Sequence, residues 1–221
     1  MQSEKELLRL IERVAHKIKN PLHSIGLNLE ALRLKIENAV SKDKNSLLKH
    51  IDITQREQQR LEMIIQSAID YLQPCGQKRQ RTDLIRVFAA IKQFVIPAAQ
   101  ERKIELSFQV EKKNRPLNVN SQELSNALVY LILNAVEIAK AQVNILAMEK
   151  GSTLQIEIQD DGEGLTKDEV VNIVQYYYTT KQGHVGMGIP LAKKYIEGNG
   201  GKLRVQSRSG SGTTFIITFE K

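Results

Sequence analysis

A histidine on the predicted N-terminal helix has the surroundings of a phosphoryl acceptor. At about 100° per residue, His16 falls opposite the apolar repeat of that helix, and Asn20 lies one turn later on the same side. Pro21 removes one helical hydrogen bond, so the helix is predicted to bend there. An exposed imidazole beside a weakened turn can attack a phosphoryl group. Taken by itself, such a histidine is more often an ordinary surface residue, and His23 and His50 are interpreted in that way.

An acidic, glycine-rich cluster, residues 160–164 (DDGEG), directly follows a predicted strand. A carboxylate at the end of a strand can accept a hydrogen bond from an amino group such as that of adenine. The two glycines let the backbone turn sharply and approach a ligand closely. The alternative is a plain acidic turn. A calcium loop is excluded, because its ligand spacing and its Glu at position twelve are absent.

A second glycine cluster, residues 183–188 (GHVGMG), leads into a predicted helix. Backbone N–H groups at a helix N-terminus favour phosphate binding. The cluster is not a P-loop, because no GKS or GKT follows, and Leu191 stands where a dinucleotide-binding fold needs its third glycine. The turn at residues 210–214 (GSGTT) offers further hydroxyls to a phosphate.

Asn134 lies on a strongly apolar predicted helix, among Leu131, Ile132, Leu133 and Ala135. A buried amide is costly unless it is bonded. Two interpretations therefore stay open: coordination of Mg²⁺ held by the phosphates of ATP, or a hydrogen bond within the core.

Two long helices are predicted to position His16. The first runs from about residue 3 to 40 and the second from about 47 to 72, with apolar residues at alternating spacings of three and four. A hairpin of this kind buries its apolar face best against a second copy. Residues 1–75 are therefore predicted to form a four-helix bundle as a homodimer. The alternative is that the hairpin packs on the second domain of its own chain.

The remaining chain has the pattern of a mixed domain. Residues 76–83 are polar and basic and are predicted to be a linker. In residues 84–221, helical segments are interleaved with short alternating strands. The predicted fold class is a helical hairpin followed by an α+β sandwich, with helices on one face of a mixed sheet.

Composition excludes several classes of protein. The chain has 221 residues, of which 41% are hydrophobic and 26% charged, as in ordinary globular domains. Its formal net charge is +7, but the basic residues are interleaved with acids, so no nucleic-acid partner is predicted. A single cysteine excludes an internal disulfide framework. No apolar run is long enough to span a bilayer, and no signal peptide is recognisable.

Together, these motifs are far more specific than any one of them. In order and approximate spacing they resemble, nearly end to end, the sensor histidine kinases of two-component systems. The matching stretches are residues 16–22 (HKIKNPL), 134–135 (NA), 161–164 (DGEG), 177–181 (YYTTK), 186–189 (GMGI), 198–203 (GNGGKL) and 210–215 (GSGTTF).

The resemblance implies Mg²⁺ and ATP as cofactors and a role for each motif. It implies that His16 is the phospho-acceptor, that Asn134 holds Mg²⁺ and that Asp161 reads adenine. Asn20 is implied to position water for dephosphorylating a response regulator, whose receiver domain is the expected partner. Further ATP contacts are expected from Gly162, Gly164, Lys181, Gly186, Met187, Gly188, Thr213 and Thr214. The chain is expected to be cytoplasmic, on its own or as part of a longer membrane-anchored sensor.

Three positions depart from the family pattern. Lys17 follows the histidine, where the family usually has a Glu or Asp that helps to take a proton. Tyr130 stands where a polar residue, usually Asn, is common, and His184-Val185 replaces the usual opening of the second glycine box. We expect the first departure to affect catalysis and the others to affect the affinity for Mg·ATP.

Two other functions compete with the autokinase hypothesis. An ATPase of the same superfamily would need a catalytic Glu on the Asn134 helix, where Tyr130 stands, and would leave the His16 hairpin unexplained. A dimeric scaffold that binds ATP only to change conformation is favoured by Lys17 alone. Acid-labile phosphate on the chain after incubation with Mg·ATP distinguishes all three.

Overall fold

The computed structural model describes residues 2–37, 44–111, 116–179 and 185–220; of residues 2–13, 16, 36–37 and 44–46 it describes the backbone alone. The helices are α1 (Gln2–Glu37), α2 (Lys44–Leu72), α3 (Leu84–Arg102), α4 (Ser121–Ile138), α5 (Lys167–Asn172) and α6 (Gly188–Gly198). The strands are β1 (Gln80–Thr82), β2 (Glu105–Val110), β3 (Leu117–Val119), β4 (Gln142–Lys150), β5 (Thr153–Asp160), β6 (Gly201–Ser207) and β7 (Thr213–Glu220). The chain divides into two compact units, and the second begins at Gln73.

The first unit contains the predicted helical hairpin of α1 and α2. Helix α1 continues through Pro21, which is buried. A polar bridge joins the two helices: Asn28 Oδ1 lies 2.8 Å from His50 Nδ1, and Lys35 Nζ lies 3.0 Å from His50 Nε2. His50 is half-buried between these partners. The interpretation of His50 as an ordinary surface residue is therefore wrong.

Large apolar side chains remain exposed along both helices of a single hairpin. Leu22 and Leu29 of α1 are 51% and 52% exposed, and Leu72 of α2 is 62% exposed. Ile64 and Ser67 of α2 are buried instead, and they lie one position before the predicted apolar residues Ile65 and Ala68. The hairpin thus has one apolar surface between its helices and a second that a single chain leaves uncovered.

The second unit is built on a five-stranded mixed sheet with the strand order β2-β4-β5-β7-β6. Strands β2 and β4 are parallel, and the other neighbours are antiparallel. Helices α3, α4 and α6 contact this sheet. Alternate residues of the central strands are fully buried, as expected of a sheet with a single covered face: Val143, Ile145, Ala147, Leu154, Ile156, Ile158, Phe215 and Ile217. This arrangement agrees with the predicted α+β sandwich.

The predicted linker differs from the observed chain. Strand β1 lies within residues 76–83 and pairs antiparallel with β3, with Arg81 opposite Asn118. Both strands are three residues long, too short to give a periodic signal in the sequence. In the structure the second unit begins at Gln73, ahead of the predicted domain start at residue 84.

Candidate active site

The predicted acceptor residues lie on the middle of α1. The side chain of His16 is outside the described residues, so its predicted exposure stays a prediction. Asn20, one turn later, is exposed as expected. The structure gives no separate helix after Pro21, since α1 is a single helix from Gln2 to Glu37.

Lys17 is not a fully exposed cation. It is half-buried on the hairpin, and Arg60 of α2 is close enough to act on it electrostatically. Burial lowers the pKa of Lys17, and the positive charge of Arg60 lowers it further. The position after His16 therefore faces a second cation across the hairpin.

Two neighbouring aspartates at the end of β5 have different partners. Asp160 is 2% exposed, and its Oδ1 accepts hydrogen bonds from Gly162 N at 2.9 Å and Thr213 N at 3.2 Å. The carboxylate of Asp161 accepts from the backbone N–H groups of Lys140 and Ala141 at 2.8 and 3.1 Å. Asp160 thus belongs to the covered face of the sheet, whereas Asp161 anchors the turn between α4 and β4.

The partners of Asp161 also control its charge. Desolvation would raise the pKa of Asp161, but main-chain donors at Ala141, Lys140 and Gln142 outweigh it and hold the pKa below its ordinary value. The carboxylate is therefore ionised at neutral pH and committed to a structural turn. This is a different task from the adenine contact expected of Asp161.

The strand period is the signal that separates the two aspartates. Leu154, Ile156 and Ile158 alternate along β5 and are fully buried. Continuing this period of two places Asp160, not Asp161, on the covered face. Asp160 is therefore a candidate site residue that the motif match alone missed.

Glycines bring the loop after β5 against its neighbours. A Cβ on Gly162 would lie 2.7 Å from the carbonyl oxygen of Ile138 at the end of α4. Gly164 and Gly212 have φ values of +70° and +78°, and a Cβ on Gly212 would lie 2.0 Å from Asp160 O. These close approaches require glycine, so Gly162 and Gly164 shape the site through their backbone.

The two threonines expected at the site lie on opposite faces of β7. Thr213 is buried, donates its N–H to Asp160, and has its Oγ1 3.0 Å from Ser207 Oγ. Thr214 is half-buried and pairs with Gln159 in the sheet. Successive side chains of a strand point to opposite faces. The structure therefore brings Thr213, but not the side chain of Thr214, to Asp160.

The second glycine cluster forms the start of α6. Gly186 has a φ of +75° and accepts a hydrogen bond from Tyr177 N at 2.9 Å. Met187 is 3% exposed and precedes the helix without a side-chain cap. The first N–H groups of α6, at Gly188 and Ile189, are thus not capped by the residue before them. Because the side chain of Met187 is buried in the core, only its backbone can serve a ligand.

Helix α4 carries Asn134 on the side that meets α6. Tyr130 packs on Gly188, since a Cβ there would lie 3.8 Å from the tyrosine ring. Asn134 follows Tyr130 by one turn and is half-buried, while Leu131 and Ala135 are fully buried. The departure at Tyr130 thus serves helix packing.

Lys181 and the glycine and histidine at residues 183 and 184 lie outside the described residues. Within the described part of the chain, no helix is long and apolar enough to cross a membrane. No three His, Cys, Asp or Glu side chains gather there as they would around a metal ion.

The contacts described above define one candidate nucleotide site. It consists of the end of β5, the C-terminal half of α4 and the start of α6.

Two family models match the chain in succession. Residues 6–73 match the His Kinase A phospho-acceptor domain. Residues 119–221 match the histidine kinase-, DNA gyrase B- and HSP90-like ATPase. The chain belongs to the sensor histidine kinases of two-component systems.

Curated sensor histidine kinases resemble the chain over most of its length. The sensor histidine kinase ZraS of Escherichia coli K12 is 28% identical over 207 residues, which cover 92% of this chain and 43% of ZraS. The histidine-protein kinase AtoS of the same organism is 23% identical, over 94% of this chain and 34% of AtoS. The chain thus spans less than half the length of these two relatives.

Solved structures of histidine kinases share the fold. ThkA, solved in complex with the response regulator TrrA, has a TM-score of 0.78 at 20% identity. The match covers 100% of this chain and 63% of the ThkA chain. ShkA, solved with AMPPNP, has a TM-score of 0.67 at 18% identity and covers 96% of this chain and 45% of its own. The hairpin followed by a sheet domain is therefore the fold of these kinases.

Proposed function

We propose that this chain is an ATP-dependent histidine autokinase that phosphorylates His16. The observation that carries the proposal is the convergence of Asp160, the Asn134 face of α4 and the start of α6 in one domain, joined to a hairpin with the acceptor motif. The expected roles of Gly162, Gly164 and Gly186 fit their close backbone contacts, and Gly188 begins α6.

We assign the adenine contact to Asp160 in place of Asp161. Asp160 is buried at the end of β5 with one oxygen held by Thr213 N and Gly162 N. A carboxylate fixed in this way can accept a hydrogen bond from an exocyclic amino group, and burial makes that bond selective. The carboxylate of Asp161 instead accepts hydrogen bonds from the main-chain N–H groups of residues 140–142.

The phosphates of ATP would lie at the start of α6, where backbone N–H groups and the helix dipole favour anions. Asn134 would hold Mg²⁺ through its amide oxygen, because Mg²⁺ prefers oxygen ligands and takes most of the others from phosphates and water. The ion would neutralise charge on the phosphates. A single protein ligand is therefore a sufficient donor set.

Phosphoryl transfer depends chiefly on positioning and charge, so the chain has little covalent chemistry to perform. The neutral imidazole of His16 would attack the γ-phosphorus of ATP through one nitrogen while the other carries a proton, and the bond to ADP would break so that ADP leaves. We propose that the phosphoryl group then passes to an aspartate of a response regulator. We also propose that exposed Asn20 helps water to remove it from that regulator.

A homodimer through α1 and α2 accounts for the leucines that a single hairpin leaves exposed. The need for ATP favours a cytoplasmic position, on its own or as part of a longer sensor. No nucleic-acid partner is proposed.

The deciding experiment is autophosphorylation with radiolabelled ATP. We expect acid-labile phosphate on the wild type, none on His16→Ala and wild-type levels on His23→Ala, which replaces an exposed histidine of the same helix. Label retained by His16→Ala would refute the acceptor assignment. ATP binding without any phosphohistidine would favour the conformational scaffold, and release of phosphate without it would favour an ATPase.

A further inference from the structure

The segment that joins α2 to the sheet, residues 73–80, is hydrogen-bonded along its length to the ends of α4 and α6. Lys194 Nζ donates to Gln73 O at 2.6 Å. Gly76 N donates to Glu123 Oε2 at 2.8 Å, and Arg79 donates through Nη2 to Gly198 O at 2.7 Å. A polar, basic segment that reads as a linker is therefore a fixed part of the second domain.

Asn199 is the centre of this network. It is 4% exposed, and its Nδ2 donates to Glu123 Oε2 at 2.6 Å and to Tyr195 O at 2.8 Å. Its Oδ1 accepts from Asn120 N at 2.6 Å, and Asn120 Nδ2 donates to Gln77 O at 2.9 Å. Every polar atom of the Asn199 amide group is thus bonded, which favours a single geometry.

Backbone proximity shows how closely the segment is held. Gly76 has a φ of +74°, and a Cβ on it would lie 1.8 Å from Gly198 O. A Cβ on Gly198 would lie 2.5 Å from that of Cys75. Neither position tolerates a side chain without displacement of the backbone, so the contact depends on two glycines far apart in the sequence.

The helices that hold the segment are those that form the candidate nucleotide site. Helix α6 runs from Gly188, at the proposed phosphate contact, to Gly198 at the segment. Helix α4 runs from Ser121, beside the segment, to Asn134 and beyond. The segment and the candidate nucleotide site therefore lie toward opposite ends of the same two helices.

We propose that Arg79, Glu123 and Asn199, named here the linker anchor, are positioning residues for the phosphorylation of His16. They make residues 74–80 a rigid part of the ATP-binding domain and confine the movement of that domain to the chain at Leu72 and Gln73. The proposal rests on the proposed autokinase function.

A released segment would lengthen the connection between the ATP-binding domain and the hairpin. The effective concentration of a tethered reactant falls roughly as the −3/2 power of tether length. Lengthening a tether from about two to about nine flexible residues then lowers the encounter rate about tenfold. The affinity for ATP should not change, because no anchor residue is placed at the nucleotide.

The disruptive variant is Asn199→Asp, which keeps the shape but turns an oxygen toward the carboxylate of Glu123. The conservative variant is Glu123→Gln alone, whose amide oxygen can take the place of Oε2 and accept from both Gly76 N and Asn199 Nδ2. Arg81→Gln is the control for Arg79→Gln, since Arg81 is exposed on β1. We would measure the autophosphorylation rate at saturating ATP, the Kd for ATP and amide hydrogen exchange at Gly76.

We expect Asn199→Asp and Arg79→Gln to lower the saturating rate about 3- to 10-fold with the Kd within twofold. Exchange at Gly76 should accelerate about tenfold or more in Asn199→Asp, and Glu123→Gln should stay near the wild type in both rate and exchange. Faster exchange with an unchanged rate would overturn the positioning role, as would a rate loss explained by the Kd. Unchanged exchange would show that no anchor exists. Absence of phosphohistidine in the wild type would instead refute the underlying function, whatever the exchange shows.

Discussion

Asp160 and Asp161 are adjacent in sequence, but they face different parts of the second domain. One carboxylate is buried beside Thr213, and the other is bonded to the main chain between α4 and β4. Both side chains are chemically identical, with the same formal charge and the same hydrogen-bonding groups. Their positions on the strand therefore decide their functions.

We predict that Asp160→Asn weakens ATP binding about 5- to 150-fold, the equivalent of about 1–3 kcal/mol for an unpaired or clashing polar contact. Asp161→Asn is the matched control and should keep the affinity for ATP within a few-fold. Titration calorimetry with each variant measures the difference. A larger loss in Asp161→Asn would return the adenine contact to that residue.

Asp161 should contribute to stability in a pH-dependent way. Its pKa is lowered in the folded domain, so its contribution is present above the ordinary value of 3.8 and is lost as the pH falls through the lowered pKa. We expect Asp161→Asn to be less stable than the wild type at pH 7 by roughly 1 kcal/mol. The effect is small because Asp161 and its main-chain partners are partly exposed to solvent, which screens the interaction. The two proteins should converge in stability toward pH 2. Urea titrations across this range would reveal a constant difference if the carboxylate has no such role.

Lys17 is expected to slow autophosphorylation without abolishing it. A cation cannot accept the proton that a neighbouring carboxylate would take, and general-base help is typically worth about 10²–10⁴-fold. Lys17→Glu should therefore raise the rate of His16 phosphorylation at neutral pH, and the new carboxylate would face Arg60 in place of a like charge. Lys19→Glu, on an exposed neighbour, is the control. A slower Lys17→Glu across the pH range would mean that Lys17 itself takes part.

At this scale, the motifs predicted the residue types of the candidate site, and the folded strands distinguish between neighbouring residues. The choice between Asp160 and Asp161, and between Thr213 and Thr214, depends on the phase of a strand. The phase is readable from Leu154, Ile156 and Ile158. The bonds of Asp161 to residues 140–142 were not readable, because they join segments that only the folded sheet brings together.

At the scale of elements, the hairpin has two apolar surfaces, and the heptad pattern does not distinguish them. Ile64 is buried within one chain, while neighbouring Ile65 is 44% exposed. The bridge of Asn28, His50 and Lys35 also could not be predicted, since it depends on the register of α1 against α2. The periodicity of the sequence predicted that the two helices exist. Which residues of α1 and α2 contact each other depends on how the helices pack.

We predict that Leu29→Asp separates the proposed dimer, because an unpaired charge in an apolar seam is strongly unfavourable. Val171→Asp, at a 65% exposed position of α5, should leave the assembly unchanged. Light scattering at micromolar concentration gives the masses. A monomeric wild type would contradict the prediction, and so would a dimeric Leu29→Asp.

At the scale of the whole molecule, the chain is two domains with separate cores. We predict two calorimetric unfolding transitions. Mg·ATP should raise the midpoint temperature of only one of them. A ligand at 100 times its Kd stabilises the state that binds it by about 2.7 kcal/mol. The shift should be smaller in Asp160→Asn at the same ATP concentration. A single transition that ATP shifts as a whole would show that the two domains unfold together.

The exposed leucines of α1 and α2 also have a consequence for abundance. In the proposed dimer this surface is completed only by a second copy, so the stability of the hairpin would rise with the number of molecules in the cell. Scarce protein would expose this surface to proteases and to other apolar surfaces. Gene dosage would then influence signalling through the integrity of the hairpin as well as through the quantity of kinase.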